Sequence, residues 1–205
     1  MPSSSFLLQL PGATTILVLT LAFSIAGLLW FPGLIDRCVL RPYWLVRRSQ
    51  WHTLVSSGLV HADFGHLLLN MLTFWFFAFQ VERVIGTARF VLLYLLALIV
   101  SDVGTFLKHR HDPEYGSLGA SGAIAAVLFA SIVYNPGQSL FIIPIPVPIP
   151  APLFAIGYVA FSWYSARRAR GRINHDAHLG GALFGLLFVA RTDPAAFSRL
   201  ARAFG

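Results

Sequence analysis

The chain has 205 residues, of which 57% are hydrophobic and 11% are charged, against roughly 25% charged in an ordinary soluble domain. Its formal net charge is +7, yet Met1 to Ile35 and Tyr115 to Ala166 contain no charged residue. Uncharged apolar runs of this length are long enough to cross a bilayer. The composition therefore argues against a soluble enzyme and a disordered chain, and it predicts an integral membrane protein.

The basic residues stand in short tracts between apolar segments and do not follow one continuous face. This placement favours anionic lipid headgroups of the bilayer as neighbours, and no nucleic-acid partner is expected. The single cysteine, Cys38, cannot form an internal disulfide or a cysteine-based zinc site.

At about 20 apolar residues per crossing, the sequence predicts six membrane spans. In chain order they are Thr14 to Phe31, Phe64 to Val81, Phe90 to Leu107, Ala120 to Tyr134, Pro152 to Ala166 and Ala177 to Ala190. Between the fourth and fifth spans lies PGQSLFIIPIPVPIPAP, where alternating prolines forbid a helix and favour an extended, polyproline-like connector. The predicted fold class is all-α, a polytopic bundle of six transmembrane helices in a single domain over residues 1–205.

The topology of six crossings places the polar residues on one side of the bundle, because the first, third and fifth loops must lie on the same side of the membrane. Each even-numbered span then begins at that side with polar residues in HADFGHLLLN, GASGA or NHDAHLGG. Four of these residues should lie at similar depth: His66, Asn70, Ser121 and His178. Polar side chains inside a membrane are costly, so their convergence predicts a functional site.

These residue types fit acyl transfer. Ser121 opens a predicted helix, so its hydroxyl lies beside free backbone N–H groups at the positive end of the helix dipole. A serine needs a base to take its proton, and His178 is the candidate base. The Ser121 backbone N–H, the Asn70 amide and the His66 imidazole can stabilise the oxyanion. His66 and Asn70 are four residues apart and fall on one side of their helix.

Other hydrolase classes fit less well. Asp176 is two residues from His178 and on a helix would point away from it, which predicts a catalytic dyad and no acidic third member. Ala123 stands where the G-x-S-x-G elbow of α/β-hydrolases needs glycine, and no H-E-x-x-H motif occurs. No metal or organic cofactor is expected.

Two glycines of the last span, Gly181 and Gly185, form G-x-x-x-G. Such a pair lets helices approach closely, and the small residues Ala125 and Ala126 make the fourth span a suitable partner. Close contact of these two spans would bring His178 within reach of Ser121.

Four motifs of this chain also belong together in one known family. They are His61-ADFG-His66-LLL-Asn70, Glu82-RVI-Gly86, Gly119-Ala120-Ser121-Gly122 and Ala177-His178-LG-Gly181. Over about Trp51 to Phe188, the chain resembles the rhomboid intramembrane serine proteases. The resemblance implies that Ser121 and His178 form the catalytic dyad and that His66 and Asn70 support the oxyanion. It also implies single-span transmembrane protein substrates, with helix-weakening residues near the cut and a small residue before it.

The membrane orientation stays open. The side of the odd-numbered loops has ten Lys and Arg residues and the other side has five, which places the polar site in the cytoplasm by the positive-inside rule. The family resemblance implies the opposite compartment. We expect a multi-pass protein of a bacterial inner membrane.

Two other functions remain as alternatives. One is a rhomboid-like pseudoprotease that binds transmembrane clients, although such proteins usually lack the serine or the histidine, and both are present here. The other is a small channel or transporter, a class that often has inverted repeats, of which the sequence shows none.

Overall fold

The computed structural model describes residues 8–142, 145–168 and 173–202, nearly all of them in helices and short connections. The helices are α1 (Pro11–Leu29), α2 (Pro32–Cys38), α3 (Pro42–Arg47), α4 (Thr53–Ser56), α5 (Phe64–Ile85), α6 (Thr87–Ser101), α7 (Val103–His109), α8 (Ser121–Tyr134), α9 (Ala151–Arg168), α10 (His175–Thr192) and α11 (Ala195–Arg202). A 3-10 turn spans Ser57–Leu59, and the two strands are β1 (Ser139–Ile142) and β2 (Ile145–Pro150).

The helical, membrane-spanning character predicted from the sequence is confirmed. Three helical segments are long and apolar enough to cross a membrane: α1, α5 and the continuous stretch Thr87–His109, with mean hydropathies of 2.0, 1.4 and 2.3. Each of the six predicted spans overlaps a helix. In the described ranges α8 is apolar but has only 14 residues, and α9 and α10 are not among the three span-length apolar segments.

Helix α8 lies at the centre of the structure. All twelve residues from Gly122 to Val133 are buried, which suits a segment of small and apolar side chains without charge. Helices α5, α6, α9 and α10 pack around it. Its first residue, Ser121, therefore stands at one end of the most buried helix in the described part of the chain.

Helices α8 and α10 touch backbone to backbone. A β-carbon on Gly181 would overlap the carbonyl oxygen of Gly122, and one on Gly185 would overlap that of Ala126. Helix α6 closes in from another side, where the Ser101 side chain packs against Gly122. The predicted G-x-x-x-G contact between the fourth and sixth spans is confirmed.

A buried carboxylate fixes α1 to the junction of α5 and α6. Glu82 is 1% exposed, and its Oε1 accepts hydrogen bonds from the Gly12 backbone N–H at 2.9 Å and the Thr87 hydroxyl at 2.7 Å. Its Oε2 accepts from the Ala13 N–H at 2.7 Å. A negative charge beside the free N–H groups at a helix N-terminus is favourable, so Glu82 holds the beginning of α1 in place.

The described parts of the proline-rich connector are extended as predicted, but β1 and β2 pair antiparallel, which departs from a single polyproline path. Leu140 pairs with Ile149, and Ser139 with Pro150. In an antiparallel ladder alternate residues turn their N–H groups outward. Pro148 and Pro150 flank Ile149, so the missing N–H groups fall on the outer edge, where proline is tolerated.

Candidate active site

The first two turns of α5 contain His66 and Asn70. Asp63 precedes this helix, and its Oδ1 accepts a hydrogen bond from the His66 backbone N–H at 2.8 Å, which caps the helix. Asn70 is buried, and its Nδ2 donates to the His66 carbonyl at 3.0 Å. Since an amide nitrogen carries two hydrogens, this bond uses one of the two N–H groups of Asn70.

The His66 imidazole lies against the backbone that leads to Ser121. Gly119 has φ +106°, and a β-carbon there would stand 2.6 Å from His66 Cε1. The Gly119 N–H donates to the Ser57 carbonyl at 2.9 Å. Only glycine fits this position without strain, and its missing side chain leaves the space that His66 occupies. The structure therefore brings His66 beside the loop of the predicted nucleophile.

Gly119→Ala is expected to lower activity because the new methyl group must displace the His66 ring. Gly86→Ala is the matched control, since Gly86 also has a positive φ of 80° but nothing lies within 4 Å of its β-carbon position. Both variants bear the strain of a positive φ, which costs roughly 1–3 kcal/mol. We expect kcat of the Gly119 variant to fall about 100-fold, as for a misplaced catalytic group, and that of the Gly86 variant to stay near wild type. Equal rates for the two variants would contradict the role of this contact.

His61, the first histidine of the His61-ADFG-His66-LLL-Asn70 motif, packs against His66. The ring centroids of the two histidines lie 4.9 Å apart, edge to face. The Ser24 hydroxyl donates to the Leu59 carbonyl, so it must accept from His61 Nδ1, at 2.9 Å. Burial lowers the pKa of His61 to about 3, which keeps the ring neutral. Its Nε2 has no hydrogen-bond partner among the described residues, so its lone pair is free beside His66.

The turn of α10 that contains His178 lies beside the beginning of α8. The Ala177 carbonyl oxygen is 3.3 Å from the β-carbon position of Gly122, the residue after Ser121. The His178 ring stacks near Tyr158 of α9, with ring centroids 6.2 Å apart and planes inclined by 21°. Within the described ranges, the Ser121 hydroxyl and the His178 imidazole form no hydrogen bond. Catalytic hydrogen bonds are often long in unliganded enzymes and tighten with substrate.

A small polar cavity adjoins the serine. Its volume is about 10 Å³, close to the minimum that one water molecule needs. Its polar lining consists of Ser101, Asp102, Ser117, Ser121 and Asn174. In the part of the chain that the structure describes, no three His, Cys, Asp or Glu side chains are grouped to hold a metal ion.

Ser117 and Asn174 are among the polar residues of this lining that sequence reasoning did not select. Each stands four residues before a member of the predicted dyad. Both also lie at the end of a loop on the side of the odd-numbered loops, the same signal that singled out Ser121 and His178. The sequence therefore shows that both residues precede the predicted dyad by four positions, but it does not show that they form a hydrogen bond with each other.

The fold and these contacts define a helical membrane protein whose polar groups gather at one end of a buried helix. Residues 48–192 match the family model of the Rhomboid domain. The chain therefore belongs to the rhomboid family, as its four motifs predicted.

Relatives of this chain occur in bacteria and in mitochondria. It is 30% identical over 188 residues to the mouse presenilin-associated rhomboid-like protein, mitochondrial, covering 87% of this chain and 48% of that protein. It is 31% identical over 147 residues to the rhomboid protease GluP of Bacillus subtilis, covering 71% of this chain and 27% of that protein. RHOMBOID-like protein 12, mitochondrial, of Arabidopsis thaliana is 29% identical over 165 residues, with coverages of 71% and 47%. The chain thus spans less than half the length of each of these relatives.

Proposed function

We propose that this chain is an intramembrane serine endopeptidase that cleaves single-span transmembrane proteins through a dyad of Ser121 and His178. One observation supports this function best. Ser121 begins the buried helix α8, and the next residue, Gly122, packs directly against the turn of α10 that contains His178. The proposed nucleophile and base thus stand on two helices that are in backbone contact.

In the proposed reaction, Ser121 Oγ attacks the carbonyl carbon of the scissile peptide bond while His178 takes the hydroxyl proton. His178 then gives this proton to the leaving nitrogen, and the C–N bond breaks to leave an acyl-enzyme. Water attacks the ester, His178 takes its proton and returns it to Ser121, and the second product leaves as a carboxylic acid. No metal or organic cofactor takes part.

The oxyanion of both tetrahedral intermediates needs preorganised donors. We assign this function to the Ser121 backbone N–H, the His66 imidazole and the second N–H of Asn70. The packing of His66 on Gly119 supports the assignment, because it puts the imidazole beside the loop that ends at Ser121. The His61 ring, which is hydrogen-bonded to Ser24, packs against the His66 ring and restricts its movement.

We propose that the chain forms one domain with six membrane crossings and that the site opens on the side of the odd-numbered loops, in a bacterial inner membrane. Substrate can reach the site beside α9. This helix is loosely packed, since Ala151 and Ser162 are its two buried residues among those described, whereas twelve residues of α8 are buried. Tyr158 of α9 also covers the His178 ring, so movement of α9 would uncover the base.

A substrate helix must unwind before it is cut, because an intact helix hydrogen-bonds its backbone carbonyls and shields them. Substrates should therefore contain helix-weakening residues near the cut and a small residue before it. This requirement separates an intramembrane protease from a peptidase that acts on exposed loops.

The proposal is tested by incubating the purified protein in detergent with a labelled single-span substrate that contains Gly and Pro near the outer end of its span. A matched substrate has Leu at those positions. We expect cleavage of the first substrate within its apolar segment and much slower cleavage of the second. An inert protein that also ignores a fluorophosphonate probe would contradict the proposal and would favour client binding without cleavage.

A further inference from the structure

We propose that Asn174 is a positioning residue, which aligns the helix of His178 with the loop of Ser121 through its hydrogen bond to Ser117. This inference rests on the proposed function. It assigns Asn174 a role that the four family motifs do not include. The residue lies at the beginning of α10, one turn before His178.

The Asn174 side chain joins three segments of the chain. Its Oδ1 accepts from the Ala177 backbone N–H and from the Thr105 hydroxyl, both at 3.0 Å. Its Nδ2 donates to Ser117 Oγ at 2.9 Å. Its own carbonyl accepts from the His178 N–H at 3.2 Å. Asn174 therefore caps α10, contacts α7 and reaches the loop that precedes α8.

The Ser117 end of this bridge is held firmly. Its backbone N–H and carbonyl exchange two hydrogen bonds of 2.9 Å with Leu40, which is 1% exposed. Two residues later, Gly119 donates to the Ser57 carbonyl at 2.9 Å. The loop before Ser121 thus has a fixed backbone, and the Asn174 amide ties the first turn of α10 to it.

In a triad, an acidic third residue orients the histidine. Here the hydrogen bond between Asn174 and Ser117 orients His178 through the backbone of its helix. Asp176, the nearest acidic residue in sequence to His178, instead pairs with the Lys108 ammonium at 2.9 Å. Gly181 fixes the distance between α8 and α10 one turn beyond His178. The turn before His178 is fixed by Asn174. Together the two contacts set the angle at which the imidazole approaches Ser121.

Asn174→Asp and Asn174→Ser distinguish the effect of the bridge, the hydrogen bond between Asn174 and Ser117, from that of helix capping. Serine and aspartate are comparably good N-caps, so both keep the bond to the Ala177 N–H. Aspartate is long enough to accept a hydrogen bond from the Ser117 hydroxyl, whereas serine is too short to reach it. We expect Asn174→Asp to keep near wild-type kcat. We expect Asn174→Ser to lose about 10-fold or more in kcat with little change in KM, since misalignment of a catalytic group affects the chemical step.

Ser117→Ala removes the bridge from its other end and leaves the cap intact. It should lower kcat in the same direction as Asn174→Ser does, and the double variant should be no slower than Asn174→Ser alone, because the bond between Asn174 and Ser117 is already lost in that variant. Thermal unfolding of each variant is measured alongside. The positioning role predicts that the unfolding temperatures of Asn174→Ser and Asn174→Asp agree while their kcat values differ.

The outcomes for the two proposals are distinct. If wild type cleaves substrate and Asn174→Ser cleaves it equally fast, the positioning role is overturned while the proposed function stands. A loss of kcat that merely follows a lower unfolding temperature, or fully additive losses in the double variant, would also overturn it. If wild type neither cleaves nor reacts with a fluorophosphonate, the proposed function itself fails.

Discussion

Replacing Ser121 by alanine is expected to abolish substrate cleavage, with kcat reduced by about 10⁴-fold or more. His178→Ala should cause a similar loss, because an unactivated serine hydroxyl is a weak nucleophile. The two residues act as one unit in the proposed reaction, so the double variant should be no slower than either single variant. Initial rates with the labelled single-span substrate measure all three.

Ser131→Ala is the matched control for this experiment. Ser131 lies on the same helix, α8, and is 1% exposed, but it accepts a hydrogen bond from Gln138 near the opposite end of the helix. Its replacement should leave cleavage near wild type. Cleavage by Ser121→Ala at the wild-type rate would contradict the assignment of the nucleophile.

The second large effect is expected at Gly181. A side chain there would meet the carbonyl oxygen of Gly122, so Gly181→Leu must push α10 away from α8. Because His178 is on α10, displacement by about 1 Å or more should cost at least about 100-fold in kcat. We also expect a lower unfolding temperature, since the helices lose close packing. Cleavage rates and thermal unfolding in the same detergent measure both effects.

Gly157→Leu provides the control for this change. Gly157 is on α9 with nothing within 4 Å of its β-carbon position, so a leucine there adds the same bulk to an open surface. Its rate and unfolding temperature should stay close to wild type. A Gly181 variant as active as the Gly157 variant would show that close contact of α8 and α10 is not needed for the reaction.

Much of the architecture was predictable because the bilayer imposes simple rules on sequence. The six predicted spans overlap helices since uncharged apolar runs have few alternatives in lipid. Ser121 was predicted to open a helix and does so. The contact of α8 and α10 followed from two glycines four residues apart. In each case the signal lies within one short stretch of chain.

Other features depend on partners that are distant in the chain. Glu82 binds backbone groups about 70 residues away, and Asn174 binds Ser117 across 57 residues. No local pattern specifies such pairs. The strand pairing in the proline-rich connector was missed because alternating prolines suggest unpaired extended chain, although they leave every second residue free to pair.

Fluorophosphonate labelling followed by peptide mass spectrometry tests the dyad most directly. A fluorophosphonate reacts with serines that a neighbouring base has activated, and the mass shift identifies the residue. We expect wild type to carry one adduct, on Ser121, and His178→Ala to carry none under the same conditions. An adduct on another serine, or equal labelling of Ser121 without His178, would contradict the proposed dyad.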